Sequence, residues 1–314
     1  MNPYFSILIP VYNQVGKMTR CIECLKNQSF EDFEAIFVDD GSTDDSWRLL
    51  CDLEKEDSRF RAYRHEGNKS LLTARFTGMS HAEGKYILFL DSDDYFENRT
   101  CEVLHGELEK DPVDVLMFGT IIEPAGEKLP AVVTDDPLRS SLDGSITPSI
   151  WKNCYSRKVA DTVVKRVSPF YCNMSEDACL SGMFFSCAES YAKTDELLYH
   201  YESGGMSSSQ ASRSIEKAKK DLASVAAAGD HLCAYIEEYR PDYLELAKQA
   251  ARRMVIFVLF QHVYFEQDWV RVFEYMELFN NEKYRYAFEF GCNTLFPNKV
   301  KKSMGIEVGR FSFG

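Results

Sequence analysis

Apolar residues in this chain fall in short runs separated by polar, turn-forming stretches. Phe5-Ser6-Ile7-Leu8-Ile9-Pro10 reads as a strand stopped by proline, after which Val11-Tyr12-Asn13 turns the chain toward a helix over residues 16–27. Glu34-Ala35-Ile36-Phe37-Val38 is a second strand, leading through the loop Asp39 to Ser46 into a helix that reaches about Glu56. The strand–turn–helix unit recurs at Phe60 to Arg64, with a helix over 71–82. Tyr86-Ile87-Leu88-Phe89-Leu90 is apolar at every position, the mark of a strand buried on both faces. Strands alternating with helices predict an α/β fold with a mostly parallel central sheet and helices on both faces.

Farther along, a strand or two is expected over 113–122. Residues 124–148 are rich in Pro, Gly, Ser and Asp without a period, and read as an excursion over the active face. Ser175-Glu176-Asp177 opens a helix to about Cys187, with Ser175 as a cap and two acids in the first turn. Beyond Ser207-Ser208-Ser209-Gln210 strand signals cease, and apolar residues recur at helical spacing over 215–239, 243–265 and 269–279. The expected division is an α/β unit of residues 1–205 and an all-helical region of 206–314. Within the latter, Met254 to Phe260 is very apolar and reads as a buried bundle helix, with a dimer or membrane-facing surface as the alternative.

The strand ending at Leu90 runs into Asp91-Ser92-Asp93-Asp94, three carboxylates in four residues. In open α/β sheets ligands bind beyond the carboxyl ends of the strands. Carboxylates so crowded repel one another unless something positive joins them, and a hard divalent cation sharing a substrate's phosphates would do so. A solvated Asp-rich turn is the plain alternative. A second acidic loop, Asp39-Asp40-Gly41-Ser42-Thr43-Asp44, lies on the same sheet edge. Capping of the next helix accounts for Ser42, Thr43 and Asp44. It does not account for Asp39 and Asp40, which could accept from a nucleobase imide N–H or a ribose hydroxyl. No G-x-G-x-x-G follows the first strand and no Walker A lysine is present, which excludes the dinucleotide and P-loop patterns.

The chain has 314 residues and a net charge of −13, which argues against a nucleic-acid partner. Its 10 cysteines form no framework, and Met1-Asn2-Pro3-Tyr4 does not lead into a signal-peptide core, so reduced thiols and a cytoplasmic location are expected. Cys21 and Cys24 form a C-x-x-C without a second pair at zinc spacing and read as ordinary helix residues. No apolar run reaches the roughly 20 residues needed to span a bilayer. Lys299, Lys301 and Lys302 form a small basic patch that would attract anionic headgroups, a peripheral contact at the inner face of the cell membrane.

Four segments in order resemble the family-2 glycosyltransferases of the GT-A fold. Pro10-Val11-Tyr12-Asn13 resembles their opening motif, and Val38-Asp39-Asp40-Gly41-Ser42-Thr43-Asp44 their nucleotide loop. Thr73-Ala74-Arg75 with Gly78 and Gly84-Lys85-Tyr86-Ile87 resembles the approach to the D-x-D strand, and Asp91-Ser92-Asp93 the D-x-D itself. The resemblance covers about the first two hundred residues. It implies metal-dependent transfer of a sugar, with inversion, from a nucleoside diphosphate sugar, UDP-linked for preference. The acceptor would be a saccharide or lipid-linked hydroxyl in surface-glycan synthesis.

By the same resemblance, Pro10, Tyr12, Asn13, Asp39, Asp40, Arg75, Asp91 and Ser92 would contact the nucleotide, Asp40 holding the base. Asp93 and Asp91 would hold Mn²⁺ or Mg²⁺, and His200, in Leu197-Leu198-Tyr199-His200-Tyr201, could reach the metal or diphosphate. A hydrogen-bonded, partly buried histidine is its plainer reading. Asp177 matches the family's general base. Adjacent helical residues point about 100° apart, so one of Glu176 and Asp177 faces the donor, and the helix N-terminus is expected to depress Asp177's pKa. Trp151-Lys152-Asn153-Cys154-Tyr155 departs from the family's order near the acceptor and leaves Lys152 unassigned. The alternatives are a catalytically inactive sugar-nucleotide-binding subunit and a nucleotidyltransferase. The latter would carry a glycine-rich, Lys/Arg-bearing loop after the first strand, where Pro10-Val11-Tyr12-Asn13-Gln14 stands.

Overall fold

The computed structural model describes residues 2–203, 214–263, 266 and 269–295. The first part of the chain lays down β1 (Phe5–Val11), α1 (Thr19–Lys26), β2 (Phe33–Asp39), α2 (Ser46–Glu56), β3 (Phe60–Arg64), α3 (Leu71–His81) and β4 (Tyr86–Phe89). Their strands pair in the order β3-β2-β1-β4, all parallel. There follow β5 (Tyr95–Phe96), α4 (Thr100–Lys110), β6 (Val115–Glu123), β7 (Glu127–Leu129), α5 (Pro137–Asp143), β8 (Asn153–Ser156), α6 (Arg157–Arg166), α7 (Glu176–Cys187) and β9 (Tyr191–Glu202). The sheet continues β4-β8-β6-β9-β5, with β7 on β6. In this half only β6 and β9 run parallel; β8, β7 and β5 pair antiparallel.

Period-2 alternation sends each strand's side chains into two cores. Phe5, Ile7 and Ile9 of β1 join Leu25, Leu50 and Leu104 from α1, α2 and α4 on one face. Leu8 joins Phe76, Val163 and Phe184 from α3, α6 and α7 on the other. The helices then continue as α8 (Ile215–Tyr239), α9 (Leu244–Val263), α10 (Trp269–Glu277) and α11 (Arg285–Leu295). They extend the second core rather than start a separate one: Val225, Leu232, Val258 and Leu259 belong to the same buried cluster as Phe184 and Ile36. Backbones of α8 and α9 approach closely at Gly229, where an added Cβ would stand 2.8 Å from Ala251 Cβ.

Several elements differ from the sequence reading. α4, β8, α6 and α11 form where no element is assigned above, and α1 starts at Thr19 because the residues before it close a turn on the Gln14 carbonyl. Residues 124–148 hold β7 and α5, and Leu138 and Leu142 of α5 are buried in the shared core. Met254, Val255, Val258 and Leu259 are buried among the helices, whereas Phe257 is 57% exposed. Among the described residues no helix is long and apolar enough to cross a membrane. Cys21 and Cys24 are free and buried within α1. The Lys299–Lys302 patch, Gly204 to Gln210 and the proposed boundary at 205/206 lie outside the described residues.

Candidate active site

A cavity of about 970 Å³ opens at the carboxyl ends of β1 and β4. Pro10 is the penultimate residue of β1 and Tyr12 lies just beyond the strand, the turn Asp91 to Asp94 follows β4, and Tyr171 and Asn173 precede α7; all line it. So do Asp40 and the first turns of α8. No residue of 124–148 lines it, so that segment is not the expected excursion over the active face. Its apolar residues are drawn instead onto α7 and α9.

Three non-glycine residues hold a left-handed backbone, Asn13 (φ 54), Ser70 (φ 98) and Ser175 (φ 62), and each adjoins a segment that shapes this cavity. Such conformations persist where the surroundings over-determine them, and they gather at functional sites. Asn13 locks the β1 end to the β2 loop: its Oδ1 accepts from the Thr43 N–H (2.8 Å) and its N–H donates to Ser42 Oγ (2.9 Å). Gly41 takes φ +76 with Gly67 so near that a Cβ would lie 2.5 Å from its carbonyl carbon, a position only glycine can fill.

Asp39 is fully buried and outside the cavity wall; Ser42 N–H reaches its Oδ1 (3.2 Å) and Arg64 Nε its Oδ2 (3.0 Å). Asp40 clamps the segment before α3. Its Oδ1 receives Lys69 N–H (2.8 Å) and His65 Nδ1 (2.7 Å), and its Oδ2 receives Ser70 N–H (2.9 Å). A carboxylate offers about four lone-pair sites, so Asp40, which lines the cavity, has capacity for one further donor.

The turn after β4 is built on Asp94, buried 105 residues away in sequence from its partner Tyr199, whose OH donates to Oδ2 at 2.6 Å. Glu202 N–H donates to Oδ1 at 2.8 Å. Burial, and then Asp91, push the Asp94 carboxyl up to about 8. The same two causes raise Asp93, in that order. Asp91 is held by Arg75, whose Nη2 lies 3.0 Å from Oδ1. Arg75 is 1% exposed and also faces Asp177 Oδ1 (Nη1, 3.3 Å) and Glu176 Oε1 (Nη2, 3.5 Å) at the start of α7. Burial works against its charge, but Asp91, Asp177 and Glu176 outweigh it and hold its pKa above the ordinary value.

Ser175 occupies the cap position of α7, yet its side chain makes no capping bond. Asp177 also departs from expectation: burial pushes its carboxyl well up, Arg75 opposes, and Glu176 and Asp91 add to the rise. A helix terminus contributes roughly 0.3–1 kcal/mol, and burial of a carboxyl can exceed that several-fold, so burial wins here.

His200 does not line the cavity. Its Nε2 meets Glu97 (2.9 Å), its Nδ1 meets Glu123 (3.0 Å), and its ring stacks on Tyr95 at 4.3 Å. Trp151 stacks on Tyr199 and Tyr201 (4.6 and 5.6 Å), and burial pushes the neighbouring Lys152 ammonium down to about 8.

The donor set at the β4 turn fits a hard divalent cation. Burial, and then the neighbouring Asp91, disfavour the Asp93 carboxylate, so a cation there would relieve both. The described residues bring no group of three His, Cys, Asp or Glu ligands together.

Residues 6–151 match the profile described as Glycosyl transferase family 2. Over that segment the chain resembles glycosyl transferase family 2. EpsH of Bacillus subtilis (strain 168), named as a putative glycosyltransferase, is 30% identical to this chain over 213 residues, 63% of this chain and 60% of EpsH. The chain thus spans about three fifths of the length of that relative. S. aureus TarS 1-349 in complex with UDP-GlcNAc superposes with a TM-score of 0.62 at 16% identity, covering 96% of this chain and 83% of TarS. The mannosyltransferase PcManGT of Pyrobaculum calidifontis, in complex with GDP-Man and Mn²⁺, gives 0.51 at 11% identity, covering 98% and 84%. The chain has a GT-A-like fold, and its helices from α6 onward lie beyond the matched segment.

Proposed function

We propose that this protein transfers a sugar from a nucleoside diphosphate sugar to an acceptor hydroxyl, with inversion, in the cavity at the β1 and β4 ends. The observation that carries the reading is Arg75, which ties the acids of the β4 turn to those of α7, the two carboxylate sets that such a reaction keeps apart. UDP is the favoured nucleotide, since TarS was solved with UDP-GlcNAc. Mn²⁺ or Mg²⁺ is the favoured cation, since PcManGT was solved with Mn²⁺.

In this reading Pro10 and Tyr12 flank the nucleotide, and Asp40 Oδ2 accepts from the base or ribose. Asn13 and Asp39 act on the nucleotide through the loop they fix. Asp91 and Asp93 would hold the cation beside Ser92, and the cation when bound would offset the charge of the leaving diphosphate. The acceptor oxygen forms its bond to the anomeric carbon as the bond from that carbon to the phosphate oxygen breaks, the electron pair leaving with the nucleotide. Asp177, which is not among the lining residues and is bridged by Arg75 to the lining Asp91, takes the hydroxyl proton. Arg75 opposes the burial that raises the Asp177 carboxyl and bridges it to Asp91. His200, with both nitrogens engaged by Glu97 and Glu123, is not assigned to the metal. In the proposed division, the unit 1–205 carries these groups, and among the described residues of 206–314 the first turns of α8 supply the remaining wall. The acceptor is a saccharide or lipid-linked hydroxyl.

The test is nucleotide release by the purified protein from a panel of UDP- and GDP-sugars, with and without Mn²⁺. Release from one donor, suppressed by chelator, supports the reading. Binding of a donor without any turnover, with acceptors supplied, would point instead to an inactive sugar-nucleotide-binding subunit.

A further inference from the structure

The cavity is acidic along the sheet edge, where Asp40, Asp91, Asp93 and Glu202 line it. The only cationic side chains among its described lining residues are Lys217 and Lys220. Both belong to α8, outside the segment that matches the family. Residues three apart on a helix share a face, so the two ammonium groups belong to one wall. In a chain of net charge −13 this placement is not simply a sample of the surface.

The wall is also held in place. Lys217 Nζ lies 3.0 and 3.2 Å from the Asp221 carboxylate, and Asp221 Oδ2 lies 3.0 Å from Nε2 of His262 on α9. Asp221 and His262 are both buried, and no other hydrogen-bond partner reaches the His262 Nδ1 atom. Burial alone would raise the Asp221 carboxyl, but the bonds from His262 and Lys217 hold it below the usual range. An ionised Asp221 anchors one of Lys217's three N–H donors and leaves the others for a ligand. Lys220 has no carboxylate partner among the described residues.

We propose that Lys217 and Lys220 form a phosphate subsite in this cavity, with Asp221 and His262 as its positioning residues. The phosphate is either the donor's diphosphate or one carried by the acceptor. The inference rests on the cavity being the sugar-nucleotide site only for the first of these sources.

The experiment is calorimetry on the full chain with uridine, UDP and inorganic phosphate, each in the presence of Mn²⁺. It compares the wild type with Lys217→Ala/Lys220→Ala, and uses Lys193→Ala, an exposed lysine of β9 paired with Asp195 and outside the cavity lining, as a charge control. A charge-assisted hydrogen bond carries roughly tenfold or more in affinity. If the donor's diphosphate is the ligand, the double variant loses at least that factor for UDP and nothing for uridine. If the acceptor's phosphate is the ligand, UDP affinity holds, and inorganic phosphate binding to the UDP-saturated protein falls by the same factor. Equal affinities in both arms, or an equal loss in Lys193→Ala, would overturn the subsite. His262→Gln should lower the ratio of UDP (or phosphate) to uridine affinity in the same direction. A merely structural role would shift both ligands together. Should the wild type fail to bind UDP at all, the donor reading fails, and binding of inorganic phosphate to the nucleotide-free wild type and double variant then decides the subsite.

Discussion

Arg75 Nη2 stands 3.0 Å from Asp91 Oδ1, and the same guanidinium reaches Asp177 Oδ1 at 3.3 Å. One buried cation thereby joins the turn after β4 to the first turn of α7. Removing it would leave Asp91, Glu176 and Asp177 uncompensated around a buried space. Breaking a buried ion pair from one side costs about 3–5 kcal/mol. Arg75→Leu should therefore lower unfolding free energy in urea by that order. Arg75→Lys, which keeps the charge but loses the planar fork, should cost less. A loss under about 1 kcal/mol for Arg75→Leu would show that Arg75 does not hold these acids together.

Asp177 is proposed as the base, and its folded-state pKa is raised by burial first, with Glu176 and Asp91 adding. A base works only when ionised, so kcat/KM should fall as pH drops through that raised value. The acid limb should thus lie above the ordinary Asp range of about 3.9. Asp177→Asn should lose on the order of 10² to 10⁴ in rate while keeping nucleotide affinity, and Glu176→Gln should lose less. A pH profile of Asp177→Asn that retains the wild-type acid limb and rate would remove Asp177 from the mechanism.

Gly41 combines φ +76 with a Cβ position 2.5 Å from Gly67 backbone. Gly41→Ala adds left-handed strain of roughly 1–3 kcal/mol and must displace the neighbouring segment, in which Asn68 lines the cavity. The thermal midpoint and UDP affinity should both drop. Wild-type values for both would mean the two loops part at no cost.

Much of this site is legible in the sequence because it lies at strand ends. β1, β2 and β4 show as apolar runs, and the acids at the ends of β2 and β4 are contiguous. What is not legible depends on contacts between distant segments. Asp94 sits inside the same acidic run, yet its role as an anchor rests on Tyr199, and nothing near either residue in the chain announces the pair. The burial that raises Asp177 is likewise tertiary and overrides the local helix-end effect. α6 is hidden because only Val159, Ala160 and Val163 are buried in an otherwise polar stretch. β9 is 12 residues long but begins in the polar run Tyr191 to Glu196, with its buried face starting in earnest at Leu198. Lys217 and Lys220 look like any solvated helix face until the fold places α8 on the cavity.

The central claim is that the turn after β4 binds a sugar nucleotide through a divalent cation. Calorimetric titration of UDP into the wild type and Asp93→Ala, each with Mn²⁺ and with chelator, tests it most directly. The wild type should bind UDP more tightly with Mn²⁺. Asp93→Ala should lose that enhancement and remain folded, since burial, and then Asp91, already disfavour the carboxylate it removes. Equal UDP affinity in the wild type with and without the metal would contradict the account.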